Sequence, residues 1–151
     1  MRVVIQRVTE ASVEVDHSVV GAIGPGLCLL VGVAPDDGQS DVNAVVDKTV
    51  GLRIFADRDG KMNLSLADTG GEVLVVSQFT LFADMRRGRR PSFISAAPPE
   101  LAAPLIEAMV SGFVEKGVST ASGIFGANMR LSLVNDGPVT LVLEFRAGQL
   151  V

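Results

Sequence analysis

The residues best suited to chemistry fall at the end of EVLVVSQFTL, the stretch from Glu72 to Leu81, where Ser77, Gln78 and Thr80 bring two hydroxyls and an amide together around Phe79. Such side chains position a substrate by hydrogen bonds, and a rigid strand ahead of them delivers them to a surface or cleft. The competing reading is that Ser77 and Thr80 only end a strand and satisfy turn backbone. A second polar cluster is Asn135-Asp136-Gly137-Pro138, which reads as a hairpin turn. It has a further property. A bond before proline can be cis at modest cost, and Gly137 has no Cβ to oppose it, so a rigid pair of carbonyls can exclude a substituent by size. The third cluster packs Arg86, Arg87, Arg89 and Arg90 around Gly88 in a chain of net charge −4. This is either a solvated loop or a contact for a phosphate backbone, with Phe82 and Phe93 offering stacking surfaces beside it.

The inventory also excludes chemistry. His17 is the only histidine, Cys28 is the only cysteine, and there is no G-x-S-x-G elbow, so a Ser-His-Asp arrangement is nearly ruled out. Cys28 lies in the apolar run LCLLVGV and reads as core, and His17 reads as a hairpin residue. Asp57 and Asp59 lack the continued spacing of a calcium loop. No metal and no cofactor are expected. The negative charge argues against indiscriminate nucleic-acid binding, although it hides local patches. No apolar stretch approaches the ~18 residues of a membrane span, so no membrane partner and a cytoplasmic location are expected.

The elements that must position these clusters follow from periodicity. At 151 residues the chain fits one domain, residues 1–151, with one compact core. Val3 and Ile5, then Val13 and Val15, alternate with polar neighbours and predict two half-buried strands, with a short third in DHSVVGAIGPG. Leu27 to Val33 predicts a buried strand. Ser40 is then expected to cap a helix whose apolar face is Val42, Val45, Val46, Thr49 and Val50. Leu52 to Phe55 predicts another strand, Asp57 to Gly60 a turn, and Val73 to Val76 a strand buried on both faces. Pro98 and Pro99 suit a helix start, with Leu101, Leu105, Ile106, Met109, Val110 and Phe113 on one face and Pro104 as a possible kink. Strands Arg130 to Val134 and Val139 to Phe145 flank NDGP.

Taken together, SQFTL at 77–81 and NDGPVT at 135–140 resemble the D-aminoacyl-tRNA deacylase family, the chirality-checking editing enzymes of translation. MRVVIQRV, ASVEV, LRIF, GKMN, GRRPSF and FGANM extend the resemblance along nearly the whole chain. It implies a mixed α/β fold of helices layered on largely antiparallel sheets, a homodimer with active sites at the subunit interface, and a substrate of tRNA charged with a D-amino acid or with glycine. It further implies a pocket of Ser77, Gln78, Phe79 and Thr80. Gly137 and Pro138 become a cis gate, held with help from Arg7 and inserted into the partner's site. Phe125 and Met129 match positions that contact the terminal adenosine. Asn128 departs from the family, in which Asp is common there, and alters local electrostatics. An aminoacyl ester is already reactive, so hydrolysis needs a placed water and oxyanion stabilisation more than a powerful nucleophile, and the resemblance implies that the 2′-hydroxyl of the terminal ribose assists. Two rival readings are an RNA-binding module without turnover and a generic small-molecule esterase.

Overall fold

The computed structural model describes residues 1–151. The two opening strands expected from alternation are one long strand, β1 (Arg2–Val15). A bulge joins them. Against the last long strand Val8 faces Asn135 while Glu10 faces Val134, so the register slips at Thr9. One extra residue turns every following side chain to the opposite face of the sheet. Val3 and Ile5 therefore enter one buried cluster, whereas Ala11 and Val13 enter another on the far side. Asp16 and His17, with φ of 48° and 63°, make the tight turn into β2 (Ser18–Ile23).

β3 (Gly26–Gly32) and β6 (Glu72–Ser77) are continuous apolar runs that pair in parallel in the sheet interior. Burial on both faces is what such runs require. Between them lie helix α1 (Gln39–Gly51), the short ribbon β4 (Phe55–Ala56) and β5 (Met62–Leu64), and one helical turn, α2 (Leu66–Thr69). Val42, Val45, Val46 and Thr49 of α1 are buried as their spacing predicts. The helix begins earlier than expected. Gly38 is the N-cap, its N–H held by the Asp41 carboxylate at 3.0 Å, and Ser40 lies inside the first turn. The strand expected at Leu52–Phe55 shrinks to β4, because Leu52 still closes α1 and the Ile54 carbonyl is taken by the Arg7 guanidinium.

Helix α3 (Pro99–Glu115) starts at the predicted prolines and continues through Pro104. Ile106, Met109 and Phe113 bury against the sheet beside α1, and Gly112 lets the two helices approach, since a Cβ there would sit 3.1 Å from Val46. A short strand not foreseen, β7 (Thr120–Ser122), extends the parallel edge beside β6. β8 (Arg130–Arg146) and β9 (Gln149–Leu150) complete the sheet, whose order is β7-β6-β3-β1-β8-β9 with β2 also on β1. The fold is thus mixed α/β, with helices over one face of a sheet that is parallel around β6 and antiparallel around β1. No helix is long and apolar enough to cross a membrane.

Candidate active site

Ser77 ends β6 directly opposite Val31 of β3. After it the chain leaves the sheet at once. The Gln78 N–H donates to the Val31 carbonyl at 2.7 Å, and Phe79–Phe82 wind into a single 3-10 turn. This turn sits on the end of β3. A Cβ at Gly32 would lie 3.0 Å from the Gln78 carbonyl and 3.1 Å from Leu81, so the absence of a side chain there lets the turn approach. The first N–H groups of such a turn, those of Phe79 and Thr80, have no acceptor within it. The Gln78 amide donates to the Thr80 hydroxyl, which is exposed.

A cavity of about 420 Å³ opens at the carboxyl ends of these parallel strands, the usual place for a ligand in such sheets. Ser77, Gln78 and Phe79 form one side, Phe93 and the start of α3 at Pro98, Pro99 and Ala102 another, and Phe125 a third. Phe79 and Phe93 meet edge to face with ring centroids 4.9 Å apart. None of the lining residues is ionisable. The walls can hold a flat apolar group and the hydroxyl and amide can orient it, but no side chain of this cavity can take a proton from water at neutral pH. Sequence pattern did not reveal the α3 wall, because Pro98, Pro99 and Ala102 read simply as a helix start.

The NDGP segment is not a hairpin turn. Its two flanks pair with the same strand in the same direction, Val8 with Asn135 on one side and Gln6 with Thr140 on the other, so the chain makes an excursion out of the sheet and rejoins it. The Gly137–Pro138 peptide bond within the excursion is cis, and Gly137 has φ of 125°. Asn135 closes the neck, donating to the Thr140 hydroxyl at 2.8 Å and accepting the Val139 N–H at 3.0 Å. Arg7 holds the other side through Ile54 O and through Asp136 O at 3.2 Å. Arg7 lies opposite Leu27, whereas Ser77 lies opposite Val31. At ~3.3 Å per residue the two positions are about 13 Å apart along the strands, with β3 and β1 also between β6 and β8.

Within one chain, therefore, Ser77, Gln78, Phe79 and Phe125 come together at the cavity, and Arg7, Gly137 and Pro138 form a separate group. Thr80 stands just outside the cavity. Met129 packs against the buried cluster on the opposite face, its sulfur filling the space where Gly123 lacks a side chain. Arg86, Arg87, Arg89 and Arg90 are exposed in a loop that leads back to Phe93. Phe82 offers no stacking surface, being buried beneath the Arg2 guanidinium at 4.7 Å. Cys28 is core, and burial pushes its thiol up to about 12.

Comparison with known proteins covers the whole of this architecture. A profile of the family described as D-Tyr-tRNA(Tyr) deacylase matches residues 4–144. The D-aminoacyl-tRNA deacylase of Roseiflexus castenholzii is 58% identical over 144 residues, 95% of this chain and 92% of that protein. That of Heliobacterium modesticaldum is 54% identical over 149 residues, 99% of each. Among solved structures, a c-Myc DNA unwinding element binding protein superposes with a TM-score of 0.89 at 39% identity, covering 97% of this chain and 99% of its own. A probable eukaryotic D-amino acid tRNA deacylase superposes with a TM-score of 0.80 at 19% identity over 93% of this chain and 97% of its own, which speaks to the fold alone.

Proposed function

Because the chain belongs to the D-Tyr-tRNA(Tyr) deacylase family, we propose that it is a hydrolase that cleaves the ester of D-aminoacyl-tRNA into free amino acid and tRNA. The observation that carries the reading is the cavity at the ends of β3 and β6, with polar groups for orientation and no ionisable side chain. Hydrolysis of an unactivated substrate would need a base there. An aminoacyl ester needs a placed water and an oxyanion site more than a strong base.

In this reading the terminal adenosine enters the cavity against Phe125, and Met129, packed on the other face of the sheet, acts on the adenosine only through the Gly123–Gly126 segment it backs. Ser77 and Gln78 orient the ester, and the N–H groups of Phe79 and Thr80 receive the negative charge as water adds to the carbonyl. The neighbouring 2′-hydroxyl of the ribose relays the water's proton to the departing 3′-oxygen. Thr80 positions and does not attack, since its hydroxyl already accepts from Gln78 and has no base beside it. Arg86, Arg87, Arg89 and Arg90 form a basic arm toward the acceptor-stem phosphates.

Arg7, Gly137 and Pro138 act as the chirality gate, rejecting an L-side chain by contact and admitting D-amino acids and glycine, which lacks a Cβ. Their separation from Ser77 in one chain supports supply by the partner of a homodimer, with the site completed between copies. A row of apolar side chains in register across the open sheet face, Val142, Val4 and Leu30, with Val142 72% exposed, supports such pairing. The whole chain acts as one domain in the cytoplasm.

The deciding experiment is deacylation of matched D- and L-aminoacyl-tRNA by substoichiometric purified protein, with glycine charged on alanine tRNA as a third substrate. Rapid release from the D-ester and glycine but not from the L-ester is expected. A second reading, RNA binding without turnover, is favoured by the basic loop and by the likeness to a protein named for DNA binding. It predicts tight tRNA binding and no multiple turnover.

A further inference from the structure

The basic loop does not carry equivalent cations. Asp84 and Ser92 exchange both main-chain hydrogen bonds, at 2.8 and 2.9 Å, and close the intervening residues into a hairpin. The Asp84 carboxylate then reaches forward into that hairpin. Its Oδ1 accepts the Arg86 main-chain N–H and Nε, both at 2.9 Å, and its Oδ2 accepts Arg86 Nη2 at 2.6 Å. A two-pronged pairing of this kind fixes the guanidinium as well as neutralising it. The Arg86 hydrogen bonds hold the Asp84 carboxyl down at about 2. Arg87, Arg89 and Arg90 enter no ion pair in the chain. Gly88, at φ of 76°, reverses the tip, and the return leg ends at Phe93 on the cavity wall.

We propose that Asp84 and Arg86 form an internal clasp that sets the hairpin, and that the substrate's phosphates are held by Arg87, Arg89 and Arg90 alone. This rests on the reading of the loop as an RNA-binding arm. The physical distinction is counterion release: cations condensed on the RNA are set free only as its phosphates are neutralised, which a free arginine does and one already matched by a carboxylate does not. Asp84 and Arg86 are then positioning residues, affecting binding through the path of the hairpin.

The two roles separate in the salt dependence of binding to deacylated tRNA. Asp84→Asn with Arg86→Gln removes both charges and leaves net charge unchanged. The double variant is expected to keep the wild-type slope of log K against log salt while losing roughly three- to tenfold in affinity at every salt concentration, the cost of ordering a loosened loop. Arg87→Ala, Arg89→Ala and Arg90→Ala should each lower the slope by about 0.7 to 0.9. A slope lowered by that amount in the double variant makes Arg86 a phosphate ligand and overturns the clasp. A double variant with wild-type affinity overturns the positioning role. If Arg87→Ala/Arg89→Ala/Arg90→Ala together change neither affinity nor slope, the loop is not an RNA arm, and the underlying reading fails along with the proposal.

Discussion

Replacing Arg7 with Ala should free the excursion at Asp136–Val139 while leaving the cavity intact, and the structure indicates how large the effect is. The Arg7 side chain is 11% exposed and makes three contacts, to Ile54 O, to Asp136 O at 3.2 Å and to Asp136 Oδ2 at 3.2 Å. Hydrogen bonds from a charged donor contribute about 1.5 to 3 kcal/mol each, the lower end applying where water competes. The carboxylate of Asp136 is 51% exposed, so its ion pair adds only about 0 to 1 kcal/mol. The two carbonyls therefore dominate, and at the lower end of that range their loss amounts to roughly 3 kcal/mol. Asp136→Asn should accordingly be mild and Arg7→Ala severe. Arg7→Lys should be intermediate, because one ammonium cannot span both carbonyls as a guanidinium does. Measured as kcat/KM on matched D- and L-aminoacyl-tRNA, Arg7→Ala should narrow discrimination at least tenfold, equivalent to about 1.4 kcal/mol. Its melting temperature should fall by roughly 6 to 12 °C, as the buried Ile54 carbonyl and the Asp136 carbonyl lose their partner. Full D-over-L preference in Arg7→Ala, or a larger effect from Asp136→Asn, would refute this account of the gate.

Other perturbations bear on separate parts of the site. Thr80→Ala should cost only about tenfold in kcat, the loss of one positioning hydrogen bond, whereas tRNA ending in 2′-deoxyadenosine should not turn over; a dead Thr80→Ala beside an active deoxy substrate would make the threonine the attacking group. Phe93→Ala removes the edge-to-face partner of Phe79, worth about 0.5 to 1.5 kcal/mol, and should raise KM roughly two- to tenfold with kcat nearly constant. Gly137→Ala places a Cβ 2.8 Å from Val139 and 3.0 Å from Arg7 at a φ of 125°, so kinetics should show impaired D-ester turnover or selectivity with the fold retained by circular dichroism. Asp84, held near 2 by Arg86, contributes its clasp above the ordinary carboxylate range and loses it only as pH falls through about 2. Carboxyl-carbon NMR should show that titration, and tRNA affinity should have no inflection from this pair between pH 5 and 9.

Where hydrophobic period and burial coincide, the fold was legible. β3 and β6 announce themselves as unbroken apolar runs, and α1 and α3 place the residues spaced at three and four against the sheet. The errors arose where a local signal is shared by two structures. Ser40 is as good a cap as Gly38 by type, and only the return of the Asp41 carboxylate to Gly38 N–H decides between them. The strand expected at Leu52–Phe55 has the right composition but lacks a neighbour, its Ile54 carbonyl serving Arg7 instead. β7 carries only Thr120, Ala121 and Ser122, too short and too polar to stand out, and exists because β6 offers it an edge.

The two polar clusters were visible for the same reason that their roles were not. Ser77, Gln78 and Thr80 stand out because nothing about strand burial requires them, and the structure puts the first two at a cavity whose opposite wall comes from α3, far away in sequence. NDGP stands out because it is strong turn chemistry, and strong turn chemistry ordinarily reverses a chain. Here the reversal is denied by pairing: β1 is long enough to bind both flanks, Asn135 at Val8 and Thr140 at Gln6, so the turn residues are expelled sideways instead of joining two antiparallel strands. A bulge at Thr9 and an excursion at Asp136–Val139 are thus two slips in one ladder. The slip at Thr9 decides which face of the sheet each half of β1 buries, and the slip opposite Arg7 lifts Asp136, Gly137 and Pro138 clear of the sheet before Val139 returns to the core, with Arg7 from β1 and Asn135 from β8 bracing them from both sides. A loop built that way projects from its own chain and lies about 13 Å along the strands from its own Ser77, a geometry suited to reaching another molecule's cavity.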